Sequence, residues 1–166
     1  MKLSKEIFDE LLLELSKTPM ASDAEMKKRT TAAYEFVRVK NKTSKILATS
    51  NLIHYSLKNE KLNKIISDIT ERKTSDIISL HTIESLPPSE TLNHVDEYSV
   101  LTLNVLLEDD FEGGAFYLNG ELYNGMKKKG DYVLYAGNKE YHAVRTVTSG
   151  IRKTLILWYH KPSGLI

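Results

Sequence analysis

The chain reads as an α+β fold, with helices first, strands afterwards, and the helices packed on one outer face of a β-sandwich. Three features predict this. Up to about residue 70 the apolar residues recur at the spacing of one helix face. From residue 77 the period shortens to two, as in strands with one side buried. Turn signals such as Pro87-Pro88, Asn119-Gly120 and Gly130-Asp131 then separate many short segments.

Ile7, Phe8, Leu11, Leu12 and Leu15 form one stripe and predict a helix over residues 5–16. Ser22-Asp23-Ala24-Glu25 has the form of a capping box and starts a second helix near residue 23. Tyr34, Phe36, Val37 and Val39 carry β-branched and aromatic weight and predict a strand over 34–40. Leu57, Leu62, Ile65, Ile66 and Ile69 predict another helix, followed by a polar connection from Glu71 to Ser75. Strands are expected over 77–83, 99–107, 114–118, 132–136, 142–147 and 153–160, with Pro87-Pro88 ending the first and Asn119-Gly120 turning a hairpin. There is no internal repeat.

At 166 residues the chain fits a single domain over 1–166, with 1–76 as mainly helical support and 77–160 as the core. A net charge of +1 provides no global field to gather nucleic acid or an anionic membrane. The one dense basic run, Lys127-Lys128-Lys129, lies between glycines and reads as a solvated turn. Cysteine is absent, which removes disulfide, zinc-thiolate and thiol-nucleophile chemistry. No stretch reads as a membrane span or a cleavable leader, so a cytoplasmic protein is expected, including a virus-encoded one working in its host's cytoplasm.

His94 and Asp96 lie two apart in Leu92-Asn93-His94-Val95-Asp96, the spacing that puts two side chains on one face of a strand. With His142 as a third ligand they make two imidazoles and one carboxylate, the set that leaves coordination positions open in non-haem Fe(II) oxygenases. His54, His81 and His160 have no such context and are expected to be structural. Glu108-Asp109-Asp110 and Glu112 lack calcium-loop spacing and read as a solvated turn, while Gly113-Gly114 marks a tight bend. Alternation turns Arg152, Thr154, Ile156 and Trp158 inward and Lys153, Leu155, Leu157 and Tyr159 outward, toward the helices. The same rule turns His142, Val144 and Thr146 inward, together with Thr102, Asn104 and Leu106. An apolar slot with few polar anchors results.

The motif order His94-x-Asp96, Gly113-Gly114, His142-x-Val144 and then a basic residue, Arg152, about ten positions on resembles the Fe(II)- and 2-oxoglutarate-dependent dioxygenases of the prolyl 4-hydroxylase type. The resemblance covers roughly residues 77–160. It implies a double-stranded β-helix, or jelly roll, holding Fe(II) on His94, Asp96 and His142, with 2-oxoglutarate as cosubstrate and O2 as oxidant. It further implies hydroxylation of a prolyl or other peptide or amino-acid acceptor, with release of succinate and CO2. Arg152 would pair with the distal carboxylate of 2-oxoglutarate, and Asn104, Val144 and Trp158 would complete the cosubstrate wall. Retention of Asp96 favours hydroxylation over halogenation, since related halogenases vacate that position. One departure stands out: many relatives carry a cosubstrate-binding tyrosine on the preceding strand or at the Leu106 position, and here those places read Ser85-Leu86 and Leu106. Two other readings stay open: a non-catalytic jelly-roll module that binds or senses 2-oxoglutarate, and a non-oxidative zinc enzyme.

Overall fold

The computed structural model describes residues 1–29, 46–47 and 50–160. Three α-helices lie among the described residues. Helix α1 (Lys5–Lys17) is capped by the Ser4 hydroxyl, which accepts from the Ile7 amide at 3.2 Å, and buries Phe8, Leu11 and Leu15. Helix α2 (Asp23–Arg29) opens with the Glu25 amide donating to the Ser22 hydroxyl at 3.1 Å. The Glu25 carboxylate accepts from the Ser56 hydroxyl at 2.8 Å and the Leu57 amide at 2.9 Å, so it ties the helix to a distant loop. Helix α3 (Glu60–Thr70) begins after Leu57, where Asn59 caps the Lys61 and Leu62 amides, and it buries Leu62, Ile66 and Thr70.

Eleven strands lie among the described residues, the first two before α3 and the rest after it: β1 (Ile46–Leu47), β2 (Ser50–His54), β3 (Ile77–Ser85), β4 (Ser89–His94), β5 (Leu101–Leu106), β6 (Phe111–Gly113), β7 (Phe116–Leu118), β8 (Glu121–Leu122), β9 (Tyr132–Tyr135), β10 (His142–Gly150) and β11 (Arg152–Tyr159). They form two antiparallel sheets. One runs β2-β3-β11-β5-β9; the other runs β1-β4-β10-β7-β8, with β6 beside β10. The expected 34–40 strand lies outside the described residues. The β7–β8 hairpin turns at Asn119 and Gly120, whose φ values of 52° and 81° are the positive pair a type I′ turn requires. The Lys127–Lys129 segment is a turn, with the Lys127 and Lys128 amides donating to Asp131.

The larger apolar core lies between the helices and the outer face of the five-stranded sheet. Leu11, Leu62 and Ile66 pack there on Leu103, Leu155 and Leu157. That leaves the inner face of this sheet turned toward the second sheet, as in a double-stranded β-helix. Alternation along β11 therefore holds over its whole length. Along β10 it does not. Pairing with β4 shifts register between Val144 and Val147, so Val147 is buried and Thr146, expected to point inward, is exposed.

Candidate metal centre and cosubstrate cavity

Strands β4 and β10 are antiparallel neighbours, and their register sets His94 opposite His142. His94 ends its strand and His142 begins its own, so both imidazoles stand at the mouth of the sandwich. Asp96 does not share a strand with His94, as the two-residue spacing had suggested. It lies just past the end of β4, where its amide donates to the Gly137 carbonyl at 2.7 Å and its carbonyl accepts from the Ser99 amide at 2.9 Å. That turn swings the carboxylate between the two rings, 3.3 Å from His94 Nε2 and 3.1 Å from His142 Nε2. One ligand atom from each residue lies within 4.8 Å of the others, and among the described residues this is the one cluster of its kind.

The far side of each ring decides what the near side offers. His94 Nδ1 is 2.6 Å from the Leu92 carbonyl and His142 Nδ1 is 3.0 Å from the Glu140 carbonyl. A carbonyl only accepts, so both Nδ1 atoms carry protons and both Nε2 atoms face the Asp96 carboxylate. In the neutral tautomer this sets two lone pairs against an anion, which a divalent cation among them resolves. The backbone carbonyls are the orienting partners usual for metal-bound histidine. Burial alone would raise the Asp96 carboxyl, but the hydrogen bonds and charge that the His142 and His94 rings supply when doubly protonated outweigh it and hold the group well below the usual carboxylate range. Two nitrogens and one carboxylate oxygen suit Fe(II) with open positions.

The second polar end of the cavity is Arg152, which begins β11 on the inner face and is 3% exposed. Its Nε and Nη2 are buried without a protein partner, and no carboxylate of the described residues pairs with it. Burial lowers its pKa to about 10, with Tyr135 working the other way. Burying a guanidinium without a counter-charge costs several kcal/mol, so this arrangement calls for an anion from outside. Gly114 makes the room. At φ +64° it adopts a conformation other residues avoid, and a Cβ there would stand 2.9 Å from Arg152 Cδ. The Gly113-Gly114 pair is thus more than a bend, since its second member shapes the anion site.

The structure brings every expected site residue to one cavity: His94, Asp96 and His142 at one end, Arg152 at the other, and Asn104, Val144 and Trp158 along the walls. Its volume of about 60 Å³ is several times what one water requires. Trp158 Nε1 and Asn104 Oδ1 are further buried polar atoms with no protein partner. A small dicarboxylate chelating at one end and ion-paired at the other fits these residues. Lys153 lies outside, beside Leu12, Leu15 and Glu108.

Among the wall residues that the sequence reading did not place in the cavity are His81 and Tyr135. His81, assigned a structural role, is buried in the cavity wall with Nδ1 2.8 Å from the Ser79 hydroxyl, and burial brings its pKa down to about 3. Tyr135, at the end of β9, is also buried in the wall, and burial raises its phenol pKa well above the ordinary value. Strand parity would have found both, since His81 lies on the inward register of the expected 77–83 strand and Tyr135 shares the parity of Val133. Leu106 packs with Phe116, Met126, Val133 and Tyr135, so its position contributes no hydroxyl.

No family model and no curated protein sequence matches the chain. Solved structures do. A prolyl hydroxylase from Trichoplax adhaerens, in complex with a hypoxia inducible factor oxygen degradation domain peptide fragment, aligns at TM-score 0.58 and 11% identity over 95% of this chain and 80% of that one. A Pseudomonas putida prolyl-4-hydroxylase aligns at 0.56 and 12%, over 95% of this chain and 100% of that one. The viral collagen prolyl hydroxylase of Paramecium Bursaria Chlorella virus-1, in its 2OG complex, aligns at 0.55 and 15%, over 86% and 92%. Two facing antiparallel sheets, helices on one outer face and a cavity between the sheets give this chain the double-stranded β-helix fold of the prolyl hydroxylases.

Proposed function

We propose that the chain is an Fe(II)- and 2-oxoglutarate-dependent dioxygenase that hydroxylates a prolyl or other peptide or amino-acid acceptor. One observation carries the reading: a three-ligand metal set and an unpaired buried guanidinium occupy opposite ends of the same small cavity. His94, Asp96 and His142 would hold the iron, with the Leu92 and Glu140 carbonyls fixing which ring nitrogens face it. Arg152 would clamp the distal carboxylate of the cosubstrate through two charge-assisted hydrogen bonds. Val144, Asn104 and Trp158 would wall in the chain between the two ends and exclude water from it. When bound, Fe(II) and 2-oxoglutarate supply the O2 activation, and the protein supplies position and shielding.

The peptide complex of the Trichoplax adhaerens neighbour supports a peptide acceptor, as do Leu92, Tyr98 and Tyr141, apolar residues at least a third exposed within four positions of a metal ligand. The test is succinate formation by iron-loaded protein under O2. Slow succinate release without acceptor and faster release with a suitable peptide is the expected outcome. With iron and cosubstrate demonstrably bound, the absence of succinate would favour a binding or sensing module.

A further inference from the structure

We propose that the side chains of Glu140 and Asn119, which lie outside the three-ligand cluster, are positioning residues that aim His142 at the metal. The inference rests on the metal-centre reading and adds the parts of this chain that hold one of its ligands in place. His142 Nδ1 is bonded to the Glu140 carbonyl at 3.0 Å, and that carbonyl belongs to the same rigid peptide unit as the Tyr141 N–H. Whatever holds the N–H therefore aims the carbonyl. The Tyr141 amide donates to Asn119 Oδ1 at 3.1 Å, and the Tyr141 carbonyl accepts from the Asn119 backbone amide at 2.6 Å. Asn119 makes these bonds from the turn of the β7–β8 hairpin, at a φ of 52° that asparagine tolerates better than most residues.

The Glu140 carboxylate decides which way the Asn119 side chain faces. Asn119 Nδ2 donates to Glu140 Oε1 at 3.2 Å, which leaves Oδ1, the only acceptor of that side chain, toward the Tyr141 N–H. Flipped by half a turn, the amide would set two donors against each other. The second carboxylate oxygen of Glu140 accepts from the Ala136 amide at 2.7 Å, and the Glu140 amide returns a bond to the Ala136 carbonyl at 2.8 Å. One side chain thus closes the 136–140 turn and joins it to the hairpin. The same turn supplies the Gly137 carbonyl that accepts from the Asp96 amide at 2.7 Å, so two of the three ligands take their aim from it. His94 does not, since its Nδ1 is oriented by the Leu92 carbonyl within β4. Glu140 is half-buried and Asn119 exposed, where water can replace a lost bond, so the fold gains little from this brace while the histidine gains an orientation.

The test titrates the full chain with Mn(II), as wild type and as the variants Glu140→Ala and Asn119→Gly, glycine being the residue that best keeps a positive φ. Asn119→Gly leaves the Glu140 charge in place, so it separates the brace from simple attraction between a carboxylate and a cation. Free Mn(II) is counted by electron paramagnetic resonance, on protein shown by circular dichroism to be folded. Each variant is expected to weaken Mn(II) binding by about tenfold, the low end of the range for groups that orient a metal ligand. The double variant should be scarcely weaker than either single one, because both cut the same chain of bonds. In the Zn(II)-loaded protein, nitrogen NMR of the histidine rings should show the His142 Nδ1–H exchanging faster with water in both variants and the His94 Nδ1–H unchanged. Wild-type affinity in either variant would overturn the proposal, and if Asn119→Gly alone retains it, Glu140 acts through its charge. Equal disturbance of both rings would also overturn it, by making the role a general structural one. A wild type that binds no Mn(II) overturns the metal-centre reading as well.

Discussion

On the outward face of β11, Leu155, Leu157 and Tyr159 pack beneath α1 and α3, and the one polar tip there, the Tyr159 hydroxyl, shares a 2.9 Å hydrogen bond with Thr70. On the inward face of the same strand, Arg152 and Trp158 keep buried donors with no protein partner. A buried donor left unsatisfied costs about 1–3 kcal/mol, and more when charged. The contrast teaches how one strand divides its labour: alternate residues stabilise the fold on one side, while the other side is left incomplete for a ligand to finish. The same division explains why the described helices α1 and α3 pack on the five-stranded sheet.

Substitutions on the two sides should have different effects. The largest expected effect is at the metal end, where His142→Ala removes one of three ligands and should abolish stoichiometric Fe(II) binding while the protein stays folded. Metal titration with circular dichroism checks this, and unchanged iron affinity would break the division at its functional side. On the outward side Leu157→Ala should cost about 2–5 kcal/mol of unfolding free energy, typical for a buried leucine, with metal stoichiometry preserved in the folded protein. Chemical denaturation read beside metal titration would show whether the two sides are separable.

A smaller effect concerns His81, whose neutral ring lies on the inward side. In the unfolded chain a histidine takes up a proton near pH 6.5, whereas in the folded chain His81 does so only at about 3. Between these values the unfolded state binds more protons, so His81 makes the fold less stable as pH falls from 6.5 toward 3. His81→Gln should therefore flatten the acid limb of stability against pH by up to about 1.4 kcal/mol per pH unit. Urea midpoints of wild type and variant at pH 6 and pH 4 provide the comparison, and parallel acid limbs would show that another group governs the loss.

Much of this arrangement was legible before the fold was known. Along β11 the period of two assigned Arg152, Thr154, Ile156 and Trp158 to one face and their neighbours to the other, because an unbroken strand obeys simple parity. On β10 the same rule misplaced Thr146, since a register shift inserts a residue that no local pattern announces. Asp96 was identified by type but put on the wrong element, because the turn that aims its carboxylate depends on Gly137, far along the chain. Strand β2 escaped notice because its partner β3 is distant in sequence, His54 lying opposite His81. Tyr135 and His81 show a different limit. Their strands were expected, but a lone tyrosine or histidine carries no motif context that marks it as part of a site.

The central claim is that the unpaired guanidinium at the start of β11 is the anchor for 2-oxoglutarate. Paired calorimetric titration of N-oxalylglycine into metal-loaded Arg152→Ala and Lys153→Ala tests it most directly, because adjacent residues of like charge point to opposite sides of the sheet. Loss of Arg152 should cost about 2–5 kcal/mol of binding, on the order of tens to thousands in affinity. Loss of Lys153, which lies against α1 outside the cavity, should leave the affinity near that of wild type. An affinity lost in Lys153→Ala and kept in Arg152→Ala would contradict the account.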